Sequence, residues 1–359
     1  MSFDDYGRQM MFTIFFFLSS GLFLGWSLGA NDAANVFGTA VGTKMVKFRT
    51  AAFICSVFVI LGAVTGGAGA SHTLEKLGAV NAMAGAFTVA FSAAFTVFWM
   101  TKLKLPVSTS QAIVGSIIGW NIFCGFSTDY HTLTQIVITW AISPVLAGVF
   151  AALLYFIFKA VIEKSKIHMI RLDSYTRWGL IIVGAFGSYS LGANNIANVM
   201  GVFVKISPFQ DLNIAGLFRL SSAQQLFFLG GIAIAVGVYT YSRKVMKTIG
   251  SDLFHLSPVA ALIVVLSTGL VLFLFASEGL KVWLESIGLP SLPLVPVSSS
   301  HAVVGSILGI GVAKSGRNIN FSILGKISSG WIMTPIIAGI VSFILLFFMQ
   351  NVFMQKVYS

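Results

Sequence analysis

Long apolar runs alternate with short polar stretches along this chain. Runs long enough to cross about 30 Å of hydrocarbon occur near residues 10–29, 51–70, 80–100, 106–124, 135–158, 178–200, 222–241, 256–277, 296–313 and 325–350. Because an open sheet would leave unpaired backbone groups in lipid, these ten runs are predicted to be helices. The pattern therefore predicts an all-α polytopic membrane protein.

Three stretches of the first half return in the same order in the second half. SLGANDAANVFG at 27–38 matches SLGANNIANVMG at 190–201, PVSTSQAIVGSIIG at 106–119 matches PVSSSHAVVGSILG at 296–309, and WAISPVLAG at 140–148 matches WIMTPIIAG at 331–339. Such order indicates an internal repeat. Five segments per half is an odd number, so the second repeat is predicted to have inverted topology. Inverted repeats with broken or re-entrant helices at the centre are typical of secondary transporters.

The repeat also divides the chain. We predict a first membrane repeat over residues 1–160, a basic cytoplasmic linker over 161–177 and a second membrane repeat over 178–359. Composition agrees with a membrane protein, since 57% of the residues are hydrophobic and 9% are charged, against about a quarter charged in soluble domains. The apolar start follows Asp4 and Asp5, so a cleaved signal peptide is not expected.

Basic residues are concentrated in alternate loops. The odd-numbered loops and the linker contain Lys44, Lys47, Arg49, Lys102, Lys104, Lys159, Lys164, Lys166, Arg171, Arg177, Arg243, Lys244, Lys247, Lys314, Arg317 and Lys326. The even-numbered loops contain Lys76, Lys205, Arg219 and Lys281. The positive-inside rule then places the basic loops in the cytoplasm and both termini outside. We expect a multi-pass protein of the cell (inner) membrane.

The motif around Asp32 predicts a cation site. Glycine, Asn and Asp weaken a helix, so a helix break is expected here. Carboxylate, amide and carbonyl oxygens are ligands suited to Na⁺ or to a proton. A plain helix-packing face is the alternative for one such motif, but Asn35 returns as Asn198 in the second copy. This duplication favours a functional role.

The motifs PVSTS and PVSSS predict an anion site. Proline is favoured in the first turn of a helix, and the hydroxyls after it would lie beside unpaired backbone N–H groups at the positive end of the helix dipole. An ordinary N-cap is the alternative. Two hydroxyl trios at equivalent places of the repeat favour the anion site.

The charges favour symport. No Lys or Arg lies well inside the ten runs, whereas Asp32 does. An anion would therefore meet no protein cation and would be repelled by Asp32, so a cation from solution is expected to bind with it.

These motifs closely resemble those of the inorganic phosphate transporter (PiT) family, over essentially the whole chain. The resemblance implies Na⁺- or H⁺-coupled uptake of phosphate. It implies a substrate side formed by Ser108, Thr109, Ser110, Gln111, Ser298, Ser299, Ser300 and His301. It implies a cation side formed by Asn31, Asp32, Asn35, Asn194, Asn195 and Asn198, with Asp32, Asn31 and Asn195 as Na⁺ candidates.

Two positions depart from the family pattern. Asn195 stands where the family usually repeats the aspartate, and Gln111 stands where a histidine is frequent. Losing one acid should reduce the number of cations required. Asn194-Asn195 and the stretch GIGVAKSGRN also resemble the sulfate-permease-like branch of the family, so sulfate is the alternative substrate. An anion channel is a further alternative.

No nucleotide loop, Cys/His metal spacing or nucleophile–base pair is recognisable, so we do not expect an enzyme. We expect no cofactor beyond the co-transported Na⁺ or H⁺. The expected partners are the anion, the cation, the lipid bilayer and a second copy in a homo-oligomer, but not nucleic acid.

Overall fold

A set of helices forms nearly the whole fold. The computed structural model describes residues 3–103, 107–165, 167–214, 218–248, 256–314 and 321–359. The helices of this part of the chain are α1 Phe3–Gly42, α2 Phe48–Gly66, α3 Ala68–Leu77, α4 Met83–Lys102, α5 Thr109–Cys124, α6 Tyr130–Ser165, α7 Met169–Val204, α8 Ser222–Thr240, α9 Ser242–Thr248, α10 Pro258–Leu274, α11 Glu278–Ser286, α12 Ser299–Ala313 and α13 Phe321–Asn351. Strands β1 Leu212–Ile214 and β2 Phe218–Leu220 pair antiparallel between α7 and α8.

Each of the ten predicted runs lies mainly on one helix, namely α1, α2, α4, α5, α6, α7, α8, α10, α12 and α13, and the run 51–70 also includes the start of α3. Among the described residues, seven helices are long and apolar enough to cross a membrane. The pair α10 and α11, bent by 71°, forms an eighth candidate span. The all-α polytopic prediction is thereby confirmed.

The expected break at the GAND-type motifs is wrong. Residues 27–38 lie within the uninterrupted α1, and residues 190–201 lie within the uninterrupted α7. The reason is that the polar side chains contact groups of the other half. Asn35 donates to Ser299, for example, and Asn198 donates to Ser110. These side chains therefore do not compete for the backbone bonds of their own helix.

Helices α5 and α12 are too short to cross the membrane. They have 16 and 15 residues, which is about 24 Å at 1.5 Å per residue and shorter than a full span. Ser108 and Ser298, which precede them, have extended backbone angles. Each short helix thus begins inside the protein, which agrees with the broken or re-entrant helices predicted at the centre. Lys104, Pro106, Lys166 and Arg317 of the sequence analysis lie outside the described residues.

The two halves exchange packing partners. A Cβ at Gly115 of α5 would fall on the carbonyl oxygen of Pro335 in α13, and a Cβ at Gly305 of α12 would fall on that of Pro144 in α6. Only glycine permits such a close approach of two backbones. Each short helix therefore packs in parallel against the long proline-containing helix of the opposite half, as expected of two related repeats.

The helix ends lie on two faces. One face has a cavity of about 1180 Å³, lined by residues of even-numbered loops such as Lys76, Asp129, Lys205 and Lys281. On the other face, Lys102 lies over the ring of Tyr241, Arg243 over Phe48 and Lys314 over Tyr155. These contacts bring odd-numbered loops and the linker side of α6 together.

Candidate functional site

The N-termini of α5 and α12 form the centre of the candidate site. Ser108 is the N-cap of α5 and accepts from the backbone N–H of Gln111 at 3.3 Å. Ser298 caps α12 in the same way, accepting from His301 at 3.4 Å. Both caps are buried, with 1% and 2% exposed surface. Each cap satisfies one of the four free N–H groups at a helix start and leaves others available.

The two N-termini are joined to each other by hydroxyl groups. Ser110 donates to the carbonyl of Val297 at 3.0 Å, and Ser300 donates to the carbonyl of Val107 at 3.5 Å. Each hydroxyl therefore bonds to the segment that precedes the other short helix. Two positive dipole ends converge at this point, which favours an anion.

Amides of α1 and α7 connect the long helices to these hydroxyls. Asn35 donates to Ser299 at 3.0 Å and to Ser300 at 3.3 Å. Asn198 donates to Ser110 at 2.8 Å. The sequence-predicted hydroxyl and amide residues of the two halves thus lie in one buried cluster.

Asp32 is the charged group of this cluster. It is 2% exposed, Asn31 donates to Oδ1 at 2.9 Å, and Thr109 donates to Oδ2 at 3.5 Å. No Lys or Arg is buried among the described residues. An unpaired buried carboxylate is costly, so this position suits a cation or a proton.

The donor set for such a cation is hard. The carboxylate oxygens of Asp32 can accept further bonds. The side-chain Oδ1 of Asn31 is also available, because Asn31 bonds to Asp32 through its Nδ2. Groups of three or more His, Cys, Asp or Glu suited to a metal ion are absent from the described residues. The oxygens around Asp32 suit Na⁺ or H⁺ better than a transition metal.

Asn194 holds a neighbouring backbone segment in place, a role that the sequence did not predict. Its Nδ2 donates to the carbonyl of Val295 at 3.1 Å, and its Oδ1 accepts from the N–H of Val297 at 2.7 Å. This pair of bonds fixes the extended segment before α12 onto α7. Both ends of the amide are therefore occupied.

His301 lies between α12, α6 and α13. Its Nδ1 is 3.0 Å from the carbonyl of Trp140, and its ring centroid is 3.8 Å from that of Trp331. Pro144 explains the first contact, because a proline cannot donate to the carbonyl four residues earlier. The matching stretches WAISP and WIMTP indicated the repeat, but the sequence did not reveal this contact.

Several buried polar atoms of the cluster have no hydrogen-bond partner among the described residues. They are Asn195 Nδ2, Asn198 Oδ1, Gln111 Oε1 and His301 Nε2. Buried polar groups are nearly always paired, so unpaired ones that gather beside two helix N-termini indicate a place for a polar ligand.

The large cavity extends from one face toward the segment before α12. Leu292, Pro293 and Leu294 of that segment line it, together with charged residues of the loops. Asp129 lies at its rim, where hydrogen bonds from the Thr132 side chain and backbone lower the pKa of its carboxyl. Its lining ends at Leu294, so the cavity reaches the residue directly before Val295.

Comparison with known proteins agrees with this architecture. The model of the phosphate transporter family matches residues 28–284 and 289–358. A "putative phosphate permease" of Methanocaldococcus jannaschii is 29% identical over 325 residues, covering 90% of this chain and 93% of that protein. One of Haemophilus influenzae is 24% identical over 419 residues, covering 93% and 96%.

A solved structure has the same fold. It is described as "The sodium-dependent phosphate transporter", with a TM-score of 0.74 and 23% identity, covering 94% of this chain and 99% of that one. At this identity the likeness concerns the fold.

Proposed function

This chain belongs to the phosphate transporter family, and we propose that it is a secondary carrier that moves inorganic phosphate together with a cation, Na⁺ or H⁺. The family and the apolar helices make it a multi-pass integral membrane protein. Coupling to a cation and the position of the binding site are the parts that we propose.

One observation carries the proposal. Two helix N-termini and a buried carboxylate share a cluster that contains no Lys or Arg among the described residues. The N-termini suit an anion, and Asp32 needs a positive charge. Phosphate and cation would each lower the cost of binding the other, which is the thermodynamic basis of coupling.

The phosphate would be held by neutral donors. We assign this role to Ser108 and Ser298, together with the free backbone N–H groups of α5 and α12. Thr109, Ser110, Ser299 and Ser300 would join them by turning their single hydroxyl hydrogen from its present acceptor to the anion. Hydrogen bonds to a charged group are typically worth about 1.5–3 kcal/mol each. Gln111 and His301 would border the anion, and their unpaired acceptor atoms suit the hydroxyl of a protonated phosphate.

The cation would bind beside Asp32 and Asn31. Na⁺ is the first candidate, because the solved structure with the same fold is described as sodium-dependent. A proton on Asp32 is the alternative. Asn35 and Asn198 would join the cation region to the hydroxyls through the bonds to Ser299 and Ser110.

Uptake of radiolabelled phosphate into proteoliposomes tests the proposal. With an inward Na⁺ or H⁺ gradient, we expect accumulation above the external concentration and its collapse when an ionophore removes the gradient. Flux that only equilibrates phosphate would indicate a channel. Abolition of phosphate uptake by excess sulfate, with sulfate uptake insensitive to phosphate, would replace phosphate by sulfate as the substrate.

A further inference from the structure

We propose that Asn195 limits transport to one coupled cation per phosphate, because the second half of the site has no cation position. The inference rests on the proposed symport and adds its stoichiometry. It also changes the role of Asn195, which the sequence analysis counted among the Na⁺ candidates.

The two halves have equivalent helix positions at this point. Asp32 and Asn195 occupy the same position of the repeated motif. The next equivalent pair, Asn35 and Asn198, donates to hydroxyls of the two short helices in both halves. The two positions can therefore be compared directly, although Asn31 bonds to Asp32 whereas its counterpart Asn194 bonds to the backbone of Val295 and Val297.

The first half has free capacity for a cation. Asp32 carries a full negative charge when ionised, and its carboxylate accepts from Asn31 at 2.9 Å, from Thr109 at 3.5 Å and from the Ser299 hydroxyl. A carboxylate has about four lone-pair sites. Among the described residues, no buried Lys or Arg supplies a positive charge near Asp32.

The second half lacks this capacity. Asn195 is neutral and fully buried, and its Oδ1 accepts from Asn198 Nδ2 at 3.0 Å. Its Nδ2 carries two hydrogens, which would repel a cation at the place where Asp32 offers a second oxygen. This Nδ2 has no hydrogen-bond partner in the described part of the chain, so it suits an anion oxygen and completes the ring of donors around the phosphate.

The number of coupled cations fixes how far phosphate can be concentrated. At zero membrane potential, and at equal pH on both sides when the cation is Na⁺, a tenfold gradient of the coupled cation supplies about 1.4 kcal/mol per cation. One cation then supports about tenfold accumulation, and two support about hundredfold.

The phosphate gradient at equilibrium equals the cation gradient raised to a power, and this exponent is the number of coupled cations. The experiment measures the exponent in proteoliposomes clamped at zero potential, using radiolabelled phosphate and the cation that drives uptake. We expect an exponent of one for the natural protein and of two for Asn195→Asp, whose carboxylate keeps the acceptor of the Asn198 bond and adds a second free oxygen. We further expect Asp32→Asn to lose coupling and the double change Asp32→Asn with Asn195→Asp to regain an exponent of one.

An exponent of two in the natural protein would overturn the inference, and so would an exponent of one in a monodisperse, active Asn195→Asp protein. If that variant does not fold, the natural protein alone decides. Absence of any cation-driven accumulation in the natural protein is a different result, because it would contradict the proposed function itself.

Discussion

Asp32 keeps its carboxylate in the centre of the protein with the neutral donors Ser299, Asn31 and Thr109 beside it. The other half shows that the same helix position accepts an amide without a break, since Asn195 is fully buried within α7. The acid is thus not required for the fold. It is a group that the site can use for charge, and the position of that charge is the basis of the coupling proposed above.

The N-cap serines give a prediction at the residue scale. Replacing Ser108 or Ser298 by Ala removes a hydroxyl that we assign to the anion, where a bond to a charged group is worth about 1.5–3 kcal/mol. Because about 1.4 kcal/mol is tenfold in affinity, we expect the half-saturation concentration for phosphate uptake to rise about tenfold or more.

Ser257→Ala is a matched control. Ser257 caps α10 and accepts from the N–H of Ala260 at 3.3 Å, as Ser108 does from Gln111, but it is exposed and lies outside the cluster. All three variants should lose about 1 kcal/mol of stability through the cap. Equal half-saturation in all of them would mean that Ser108 and Ser298 are ordinary caps.

At this scale the sequence predicted which residue types are used, but not the individual contacts. The duplicated motifs identified Asn35, Asn198 and the hydroxyl trios, and the structure places them in one cluster. The bonds of Asn194 to Val295 and Val297 could not be predicted. They depend on the path of an extended segment about a hundred residues away, which no local pattern encodes.

At the scale of elements, the proline of a long helix and the polar start of a short helix form one unit. Pro144 frees the carbonyl of Trp140, and His301 at the start of α12 is 3.0 Å from it. One turn further along, Gly305 contacts the backbone of Pro144 itself. The contacts hold α12 against α6 along its first two turns, and thereby hold the N-terminus that we assign to the anion.

The glycine contacts give a prediction at the element scale. Gly305→Ala would place a methyl group on the carbonyl oxygen of Pro144, so α12 must move away from α6. Overpacking of this kind typically costs about 1–3 kcal/mol. We expect a lower thermal unfolding midpoint and reduced phosphate uptake, measured on the purified protein in detergent and in liposomes.

Gly325→Ala in α13 is the control, because a Cβ there meets nothing within 4 Å. It should be neutral or stabilising by up to about 1 kcal/mol, since Ala is the better helix former. If both variants melt at the same temperature, α12 and α6 do not approach as closely as described.

The helices show what the apolar pattern can and cannot predict. All ten long runs are helical, because lipid requires internally paired backbones. The pattern did not predict that α1 and α7 continue through their Asn-rich motifs, since the partners of these side chains come from the other half. Short α3 and α11, with few apolar residues, were also missed.

At the scale of the whole molecule, the loops are sorted onto two faces. Lys76, Lys205 and Lys281 of three even-numbered loops line one cavity. The segment after α13 lies on the same side, where Ser359 pairs with Asn81 of the loop before α4. Odd-numbered loops meet on the other face, where Arg243 lies over Phe48.

Orientation gives the last prediction. Sixteen Lys and Arg residues belong to the odd-numbered loops and the linker, against four in the even-numbered loops, so the positive-inside rule places the cavity outside the cell. Ser286 ends α11 beside that cavity, and Ser165 ends α6 on the opposite face; both are exposed. In a Cys124→Ser background, with Cys55 fully buried, a membrane-impermeant maleimide should label Ser286→Cys in intact cells and Ser165→Cys only after lysis. The reverse labelling would place the cavity in the cytoplasm, and phosphate uptake would then begin at the basic face.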